Sequence, residues 1–349
     1  MIKNVQGNIL NAQAEALVNT VNCVGVMGKG IALQFKKAFP ENFKAYKNAC
    51  QRGEVKPGSM FVFDTGQKLP RYIINFPTKR HWRDKSRYED IEAGLQTLVK
   101  EITARNIGSI AIPPLGSGLG GLDWAKIKPM IEKALSALPD VQIQLFEPKG
   151  SPQASEMPVG SDRPHLTPAR ALFIKLIQQY KRFAYRLTLL EIQKLAYFLQ
   201  ESGLNLRLSY VRHYYGPYAH NLNKVLEILE GHYISGYGDT QKPDVEVELL
   251  PGAIDAADDF LNKHPGSFAH LNKVADLVDG FETPYGMELL ASVHWLAVHD
   301  RQAVDQKSAI SAMAGWNERK RRLFKSEHIC IAWDRIQEEG WINIELEKS

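Results

Sequence analysis

"VNTVNCVGVMGKGIALQFKKAFP", residues 18–40, runs from an apolar, β-branched segment through a loop of glycine and lysine into a helical pattern. Loops of this composition hold phosphates, but this is not the loop of a nucleoside-triphosphate hydrolase. That motif sets four residues between its glycines and ends on a Lys-Ser/Thr pair that reaches the phosphates and magnesium. Here Gly25 and Gly28 enclose two residues, and Lys29 is followed by Gly30. Nothing replaces the metal-binding hydroxyl, so triphosphate hydrolysis is not expected. What remains is a glycine turn feeding a helix that starts at Gly30. The N–H groups and positive dipole end of such a helix suit a pyrophosphate, and glycine permits close approach and a positive φ. A plain strand-to-helix turn fits the same residues, and the stretch alone leaves both readings open.

Around it, short apolar runs at Ile2–Val5, Ala16–Val21, Met60–Asp64, Tyr72–Phe76, Ser109–Ile112 and Val141–Phe146 alternate with helical periodicity. The helical segments are Gly30–Phe39, Asn42–Arg52, Tyr88–Arg105 and Trp124–Leu138. This alternation predicts an α/β domain with helices on both faces of a largely parallel sheet, and ligands in the loops beyond the strand ends. Residues 147–168 carry five prolines and two glycines and read as an extended linker. Beyond it the pattern is mainly helical, at Ala169–Phe183, Thr188–Glu201 and Ala219–Glu230, with a "YYGPY" turn at Tyr214–Tyr218. The expected organisation is 1–148, a linker at 149–167, and a mainly helical domain at 168–349, consistent with about two domains for 349 residues.

The first ten residues lack the apolar core of a signal peptide, and no stretch reaches the roughly 18 apolar residues of a membrane span. Cys23, Cys50 and Cys330 are far apart and form no CxxC pair. Neither a zinc site nor a disulfide framework is expected, and the default setting is a reducing cytoplasm without membrane, metal or cofactor. The net charge of +4 conceals an asymmetry. Residues 1–150 hold 21 basic against 13 acidic residues, whereas 239–305 hold 4 against 13. Acidic helices can be simply solvated; otherwise the two halves meet different partners, one polyanionic and one basic.

Two further loops bear on a ligand. "PPLGSGLGGLDW", Pro113–Trp124, matches G-x-G-x-x-G at Gly116, Gly118 and Gly121. It comes too late in the chain for a Rossmann fingerprint, and Asp140 stands at the start of the following strand, so a nicotinamide dehydrogenase is rejected and a diphosphate grip is kept. "NFPTKRHWRDKSR", Asn75–Arg87, places Lys79, Arg80, Arg83, Lys85 and Arg87 around His81 and Trp82. Cations beside an aromatic plane suit a single-stranded nucleic acid; a solvated basic loop is the plainer alternative.

In this order "QGNI" (Gln6–Ile9), "NTVNCVGVMGKGIALQF" (Asn19–Phe35), "NFPTK" (Asn75–Lys79) and "LGSGLGGLDW" (Leu115–Trp124) resemble a macrodomain. That family is the three-layer α/β/α fold that binds ADP-ribose, and the similarity covers about residues 1–148. The "GVMGKGIA" form resembles the branch with terminal ADP-ribose glycohydrolases, and within it antitoxin enzymes that strip ADP-ribose from DNA. The resemblance implies that Asn8 and Ile9 hold adenine. Aspartate often stands where Asn8 is; an amide oxygen also accepts from the adenine amino group, though it attracts that donor less. It further implies Thr20 and Asn22 around the distal ribose, Val21 and Thr78 among the other ADP-ribose-binding residues, and Gly30, Ile31, Ala32, Leu33 and Gln34 on the diphosphate. Ser117, Gly118, Leu119, Gly120 and Gly121 would close the other side. Lys79 would be catalytic, with Asp123 beside it, and Arg80, His81, Trp82 and Arg83 would bind DNA.

The chemistry agrees with that assignment. Breaking the bond between the anomeric carbon and a base nitrogen develops oxocarbenium character, so a nucleophile or an activated water must meet that carbon. A lysine at its ordinary pKa is protonated; cationic neighbours such as Arg80 and Arg83, or partial burial, would free its lone pair. A Schiff base with Asp123 shuttling protons and general-base action on water are both open. Asp123 also suits a helix cap before Trp124, His81 suits phosphate or solvent better than catalysis, and Cys23 reads as packing. Two other activities fit less well: a module that holds ADP-ribose without turnover, and a glycohydrolase acting on ADP-ribosylated protein, which has little use for the basic loop.

In the second half, "LTLLEIQKLAYFLQESGLNL" and "YVRHYYGPYAHNL" resemble the helical Panacea antitoxin domain over about residues 168–270. Leu189, Ile192, Leu195, Ala196 and Leu199 fall at helical spacing and read as core. Tyr214, Tyr215 and Tyr218 fit either core or interface, and "NERKRRLFK", Asn317–Lys325, reads as the charged face of a helix. The resemblance implies a DarT-type ADP-ribosyltransferase toxin as partner. The acidic segment, including Asp255, Asp258, Asp259, Asp276 and Asp279, would occupy its basic groove as a DNA mimic. The function expected from the whole is therefore an antitoxin that removes ADP-ribose from bases of single-stranded DNA and also sequesters the toxin.

Overall fold

The computed structural model describes residues 1–148, 158–181, 186–238, 244–264, 266 and 268–342. The chain divides into two compact units, Met1–Arg163 with Gly238–Gln241, and Pro164–Tyr237 with Lys242–Ser349. Residues 149–157 of the expected linker lie outside the described residues. Gly160 belongs to the first unit, its N–H donating to Lys37 O at 2.8 Å.

The first unit runs β1 (Ile2–Val5), β2 (Ala16–Val21), α1 (Gly30–Ala38), α2 (Pro40–Gln51), β3 (Phe61–Asp64), β4 (Tyr72–Pro77), α3 (Tyr88–Ala104), β5 (Ser109–Ile112), α4 (Trp124–Leu135) and β6 (Gln142–Phe146). Every expected strand and helix is present, with ends shifted by a few residues at most. One 3₁₀ turn, Ile9–Asn11, was not expected from the pattern. The sheet order is β1-β6-β5-β2-β4-β3. All neighbours are parallel except the edge pair β3 and β4.

Alternation along the strands makes the three layers. Val18, Ile74, Ile110, Ile112 and Leu145 face Ile91, Leu95 and Leu98 of α3 and Ile127 and Ile131 of α4. Leu17, Ile73 and Ala111 face Phe35 of α1 on the other side, while Val21 and Met27 pack with Tyr46 and Ala49 of α2. Each fully buried large aliphatic side chain here contributes about 1.5–3 kcal/mol.

Two central strands break the apolar pattern with asparagines. Asn19 of β2 and Asn75 of β4 are directly opposite in register, and both are fully buried. Asn75 Oδ1 accepts from Asn19 Nδ2 at 3.0 Å and from Asn42 Nδ2 of α2 at 3.3 Å. Its Nδ2 donates to Asn42 Oδ1 at 2.7 Å and to Phe61 O of β3 at 3.2 Å. One amide therefore ties three strands to one helix, immediately below the strand ends.

The second unit contains α5 (Pro168–Lys181), α6 (Leu189–Glu201), β7 (Tyr210–His213), β8 (Gly216–Ala219), α7 (Leu222–Leu229), β9 (Ile234–Ser235), β10 (Glu248–Leu249), α8 (Ala253–Leu261), α9 (Phe268–Val278), α10 (Pro284–Val298), α11 (Gln306–Ala314), α12 (Glu318–Leu323) and α13 (Ser326–Glu338). The last two residues of the expected helix Ala169–Phe183 lie outside the described residues. Thr188 is the cap of α6 rather than its first residue; its N–H donates to Glu191 Oε2 at 2.8 Å in a capping box. The residues from Leu289 to Leu296 of α10 are all buried, which places that helix at the centre of the unit. The expected helix Ala219–Glu230 starts only at Leu222, because Gly216–Ala219 pairs with Tyr210–His213 in an antiparallel hairpin whose tip is Tyr214–Tyr215.

The asparagine cluster yields a stability test. Asn75→Ala strips partners from Asn19 and Asn42 in a dry site, so it should lower the stability of the first unit by about 3 kcal/mol. Urea unfolding of the full chain reads this, and an unchanged first midpoint would contradict it.

Candidate active site

The three loops read from the sequence leave the carboxyl ends of the adjacent strands β5, β2 and β4. In a parallel sheet those ends open onto a crevice. Val21 ends β2, and its carbonyl accepts from Thr78 N at 2.9 Å and Lys79 N at 3.3 Å. Cys23 continues the stitch: its N–H donates to Arg80 O at 3.3 Å, and its thiol donates to Lys79 O at 3.3 Å. The first phosphate-type loop and the basic loop are thus bonded together at Lys79.

Asn22 is buried and turned into its own loop. Its Oδ1 accepts from Val24 N at 3.0 Å and Val26 N at 3.3 Å, and its Nδ2 donates to Val26 O. Tyr46 Oη donates to Asn22 O at 2.6 Å. Asn22 therefore shapes the rim that surrounds the expected ribose position. The helix beyond it, α1, starts at Gly30 with no side chain capping its first turn. Gly30 has φ +59°, and a Cβ there would come 3.2 Å from Leu119 Cδ1. Glycine is needed for the positive φ, while an added Cβ would crowd only the end of the Leu119 side chain. Leu33 is buried in the core, so only its backbone faces the crevice, whereas Ile31, Ala32 and Gln34 are partly exposed.

Leu119 brings the glycine loop against α1 and also meets the lysine. Lys79 Nζ donates to Leu119 O at 2.7 Å, so the expected catalytic amine spans the crevice from β4 to the loop after β5. Lys79 is half-buried, and that desolvation holds its pKa below the ordinary lysine value, against the opposing charge of Asp84. Of the two causes the sequence offered, burial is the one at work. Arg80 is turned elsewhere: its guanidinium grips Asp90 of α3 through Nε–Oδ2 at 3.2 Å and Nη2–Oδ1 at 3.0 Å.

The glycines of the second loop have separate tasks. A Cβ on Gly120 would lie 2.2 Å from Gly116 O and 2.3 Å from Ser86 Oγ, so Gly120 is a packing glycine. Gly116 and Gly121 adopt positive φ, and nothing lies within 4 Å of a Cβ built on Gly118 or Gly121. Ser86, a residue the sequence reading passed over, anchors the loop through its N–H to Gly120 O at 3.0 Å. Among the described residues its buried Oγ has no partner. Asp123 is exposed and caps α4, its Oδ1 accepting from Ala125 N at 2.9 Å.

Asn8 follows β1 and likewise has a structural task, with Oδ1 accepting from Leu10 N at 3.0 Å; Ile9 is buried. In the basic loop the rings of His81 and Trp82 are 5.3 Å apart, and Arg83 Cζ sits 4.5 Å from the Trp82 ring centre. Arg83, Lys85 and Arg87 are exposed. The Cys23 thiol is pushed up to about 11, chiefly by burial, which makes it inert at neutral pH and agrees with a packing role. Among the described residues no cluster of His, Cys, Asp and Glu could hold a metal ion. No helix there is long and apolar enough to cross a membrane.

The roles of Tyr46, Asn42, Ser86 and Asp90 escaped the sequence reading. A polar residue inside an apolar strand, as at Asn19 and Asn75, was the available signal for a buried network. Nothing in the local sequence marks its partners on other elements.

Comparison with known proteins matches residues 18–131 to the Macro domain model. A DNA ADP-ribosyl glycohydrolase of Thermus aquaticus is 49% identical over 97% of this chain and 94% of its own length. The solved macrodomain of Thermus aquaticus DarG is 56% identical over 42% of this chain and 99% of that one, with a TM-score of 0.42. A DNA ADP-ribosyl transferase–DNA ADP-ribosyl glycohydrolase fusion protein of Thermosipho africanus is 33% identical over 41% of each chain.

The two glycine environments separate cleanly by substitution. Gly120→Ala must displace backbone and should destabilise the first unit by about 1–3 kcal/mol. Gly118→Ala should leave the thermal midpoint unchanged. Equal midpoints for both variants would refute this division of tasks.

Proposed function

Since the chain belongs to the DarG-type DNA ADP-ribosyl glycohydrolases, we propose that it acts on single-stranded DNA through Lys79 and that its second unit sequesters a DarT-type transferase toxin. The observation that carries the first part is the 2.7 Å contact of Lys79 Nζ with Leu119 O, which puts the amine between the two loops suited to ADP-ribose. The Gly30 N–H is taken by Gly238 O at 2.5 Å, so the diphosphate lies on the remaining N–H groups of the first turn of α1, with the glycine loop opposite, and the distal ribose reaches the strand ends where Lys79 stands. Breaking the glycosidic bond leaves positive character on the anomeric carbon, and a neutral amine meets it, either directly or by taking a proton from water. Asp123 combines its cap with proton transfer through the remaining carboxylate oxygen.

For the nucleic acid, Trp82 supplies a ring for a base and Arg83, Lys85 and Arg87 supply exposed charge. The pairing of Arg80 with Asp90 shifts the phosphate contact from Arg80 to Arg83 and its neighbours. In the second unit Asp255, Asp259, Asp276 and Asp279 are exposed on and just after α8 and α9, while Asp258 is paired with Lys175 at 2.7 Å. Exposed acids of this kind steer toward a basic DNA-binding groove, and the fused relative supports a transferase as partner.

Release of ADP-ribose from a modified oligonucleotide tests the catalytic assignment. Lys79→Ala should lose at least about 100-fold in rate; full release by that variant sinks the assignment. Burial favours the neutral amine, so the wild-type rate should rise with pH and level off below the ordinary lysine value near 10.4. A rate that falls with rising pH would contradict a reacting amine. Reversing Asp255, Asp259, Asp276 and Asp279 together should slow association with the toxin at low salt, as surface-plasmon kinetics would record.

A further inference from the structure

The β7–β8 hairpin of the second unit is an outward-facing element held by unusually expensive means. At its tip Tyr214 is 49% exposed, and on its strand Val211 is 55% exposed. The rings of Tyr214 and Tyr215 meet edge to face, 4.8 Å apart at 84°. Arg319 of α12 lies against both, its Cζ 4.8 Å from the Tyr215 centre and 5.7 Å from that of Tyr214. Beside them Arg212 sits 4.3 Å over the Trp316 ring. Backbone pins lock the tip: Trp316 Nε1 donates to His213 O at 2.9 Å, and Asn317 Nδ2 donates to Tyr214 O at 3.1 Å.

Beneath the tip lies a buried ionic cluster. Glu288 of α10 accepts from Arg319 at 2.6 Å and from the fully buried Lys320 at 2.7 Å, and Lys320 also donates to Ser292 Oγ at 2.8 Å. The expected charged helix face at Asn317–Lys325 is thus partly interior, which corrects the sequence reading. Buried Lys194 donates to Pro217 O at 2.7 Å. Gly216 must be glycine, since it has φ +93° and a Cβ there would lie 2.9 Å from Ser292 Oγ. Apolar residues would stabilise such an interior at least as well as charges do. What the cluster provides is a single geometry for the hairpin tip. A rigid, half-exposed set of Tyr, Trp and Arg has the composition of an interface hot spot.

The charge balance selects the kind of partner. Arg212 is matched by Asp300 at 2.7 Å, while Arg319 and Lys320 share the single carboxylate of Glu288. Arg212 is thus already committed to a carboxylate, and the guanidinium of Arg319 lies over ring surface that a base would need. A protein face suits the patch better than a nucleic acid does. We propose that the Tyr214–Tyr215 tip, braced by Arg319, is the anchor that binds a protein surface of the transferase. The proposal rests on the sequestration reading and divides the work within it: the acidic helices govern approach, and the hairpin governs residence.

The experiment compares full-length chains binding purified toxin by surface-plasmon kinetics. Tyr214→Ala and Tyr215→Ala should each speed dissociation at least tenfold with association unchanged, while Tyr214→Phe, which keeps the ring, should restore wild-type dissociation. Thermal midpoints and ADP-ribose release should stay at wild-type values. If the wild type binds toxin and the alanine variants dissociate within twofold of it, the anchor is overturned and sequestration stands. No binding by the wild type overturns the sequestration reading and the anchor with it. Alanine variants that instead change oligonucleotide affinity, or the mass of the isolated chain in light scattering, assign the tip to DNA or to a second copy and overturn the proposal.

Discussion

One carbonyl oxygen sets the geometry of the crevice at the strand ends. Val21 O ends the central strand and takes the N–H groups of both Thr78 and Lys79, so β2 and β4 remain in register one step past the sheet. The Cys23 thiol then holds the carbonyl of Lys79 itself. With its backbone gripped on both sides, the lysine has a defined direction, and its amine meets the glycine loop. The buried amides of Asn19, Asn42 and Asn75 lie directly below and resist any slip of β2 against β4. A strand slip would turn each side chain to the opposite face, and here it would also orphan buried polar groups.

The same arrangement prepares the amine chemically. Enclosure between two loops removes water from Lys79 and weakens its hold on a proton, more than the Asp84 charge strengthens it. Cys23, one turn of the loop away, is driven further from reactivity by the same burial. Desolvation therefore has opposite consequences for the two groups. The neutral form of lysine is the nucleophile, whereas the neutral form of cysteine is the inert one.

The second unit uses burial differently. Glu288, Lys320 and Lys194 lie within it and serve a hairpin tip on its surface. Burial lowers Lys194 to about 7 and Lys320 to about 8, the carboxylate of Glu288 opposing the fall in both. In the first unit a desolvated lysine at the strand ends donates to the glycine loop through Leu119 O. In the second, the desolvated lysines are enclosed by donors and acceptors that hold them in place.

The sequence by itself determined the layers, the order of elements and the loops that matter. Alternation along strands, helical periodicity and glycine placement are local properties, written within a few neighbouring residues; "VNTVNCVGVMGKGIA" announces its turn without help from the rest of the chain. The turns at Gly30 and Gly118–Gly121 were legible for that reason, whereas Lys79 was singled out only through the resemblance. Only the tertiary structure decided which groups spend their hydrogen bonds internally. Arg80 turned to Asp90, Asn22 to its own loop and Lys320 to Glu288, and the strands of the "YYGPY" hairpin replaced an expected helix start. Asn22 finds its partners two and four residues on, but only once the loop has folded around it. The partners of Arg80 and Lys320 stand 10 and 32 residues away, and a charge in a sequence carries no record of the distant group that will satisfy it.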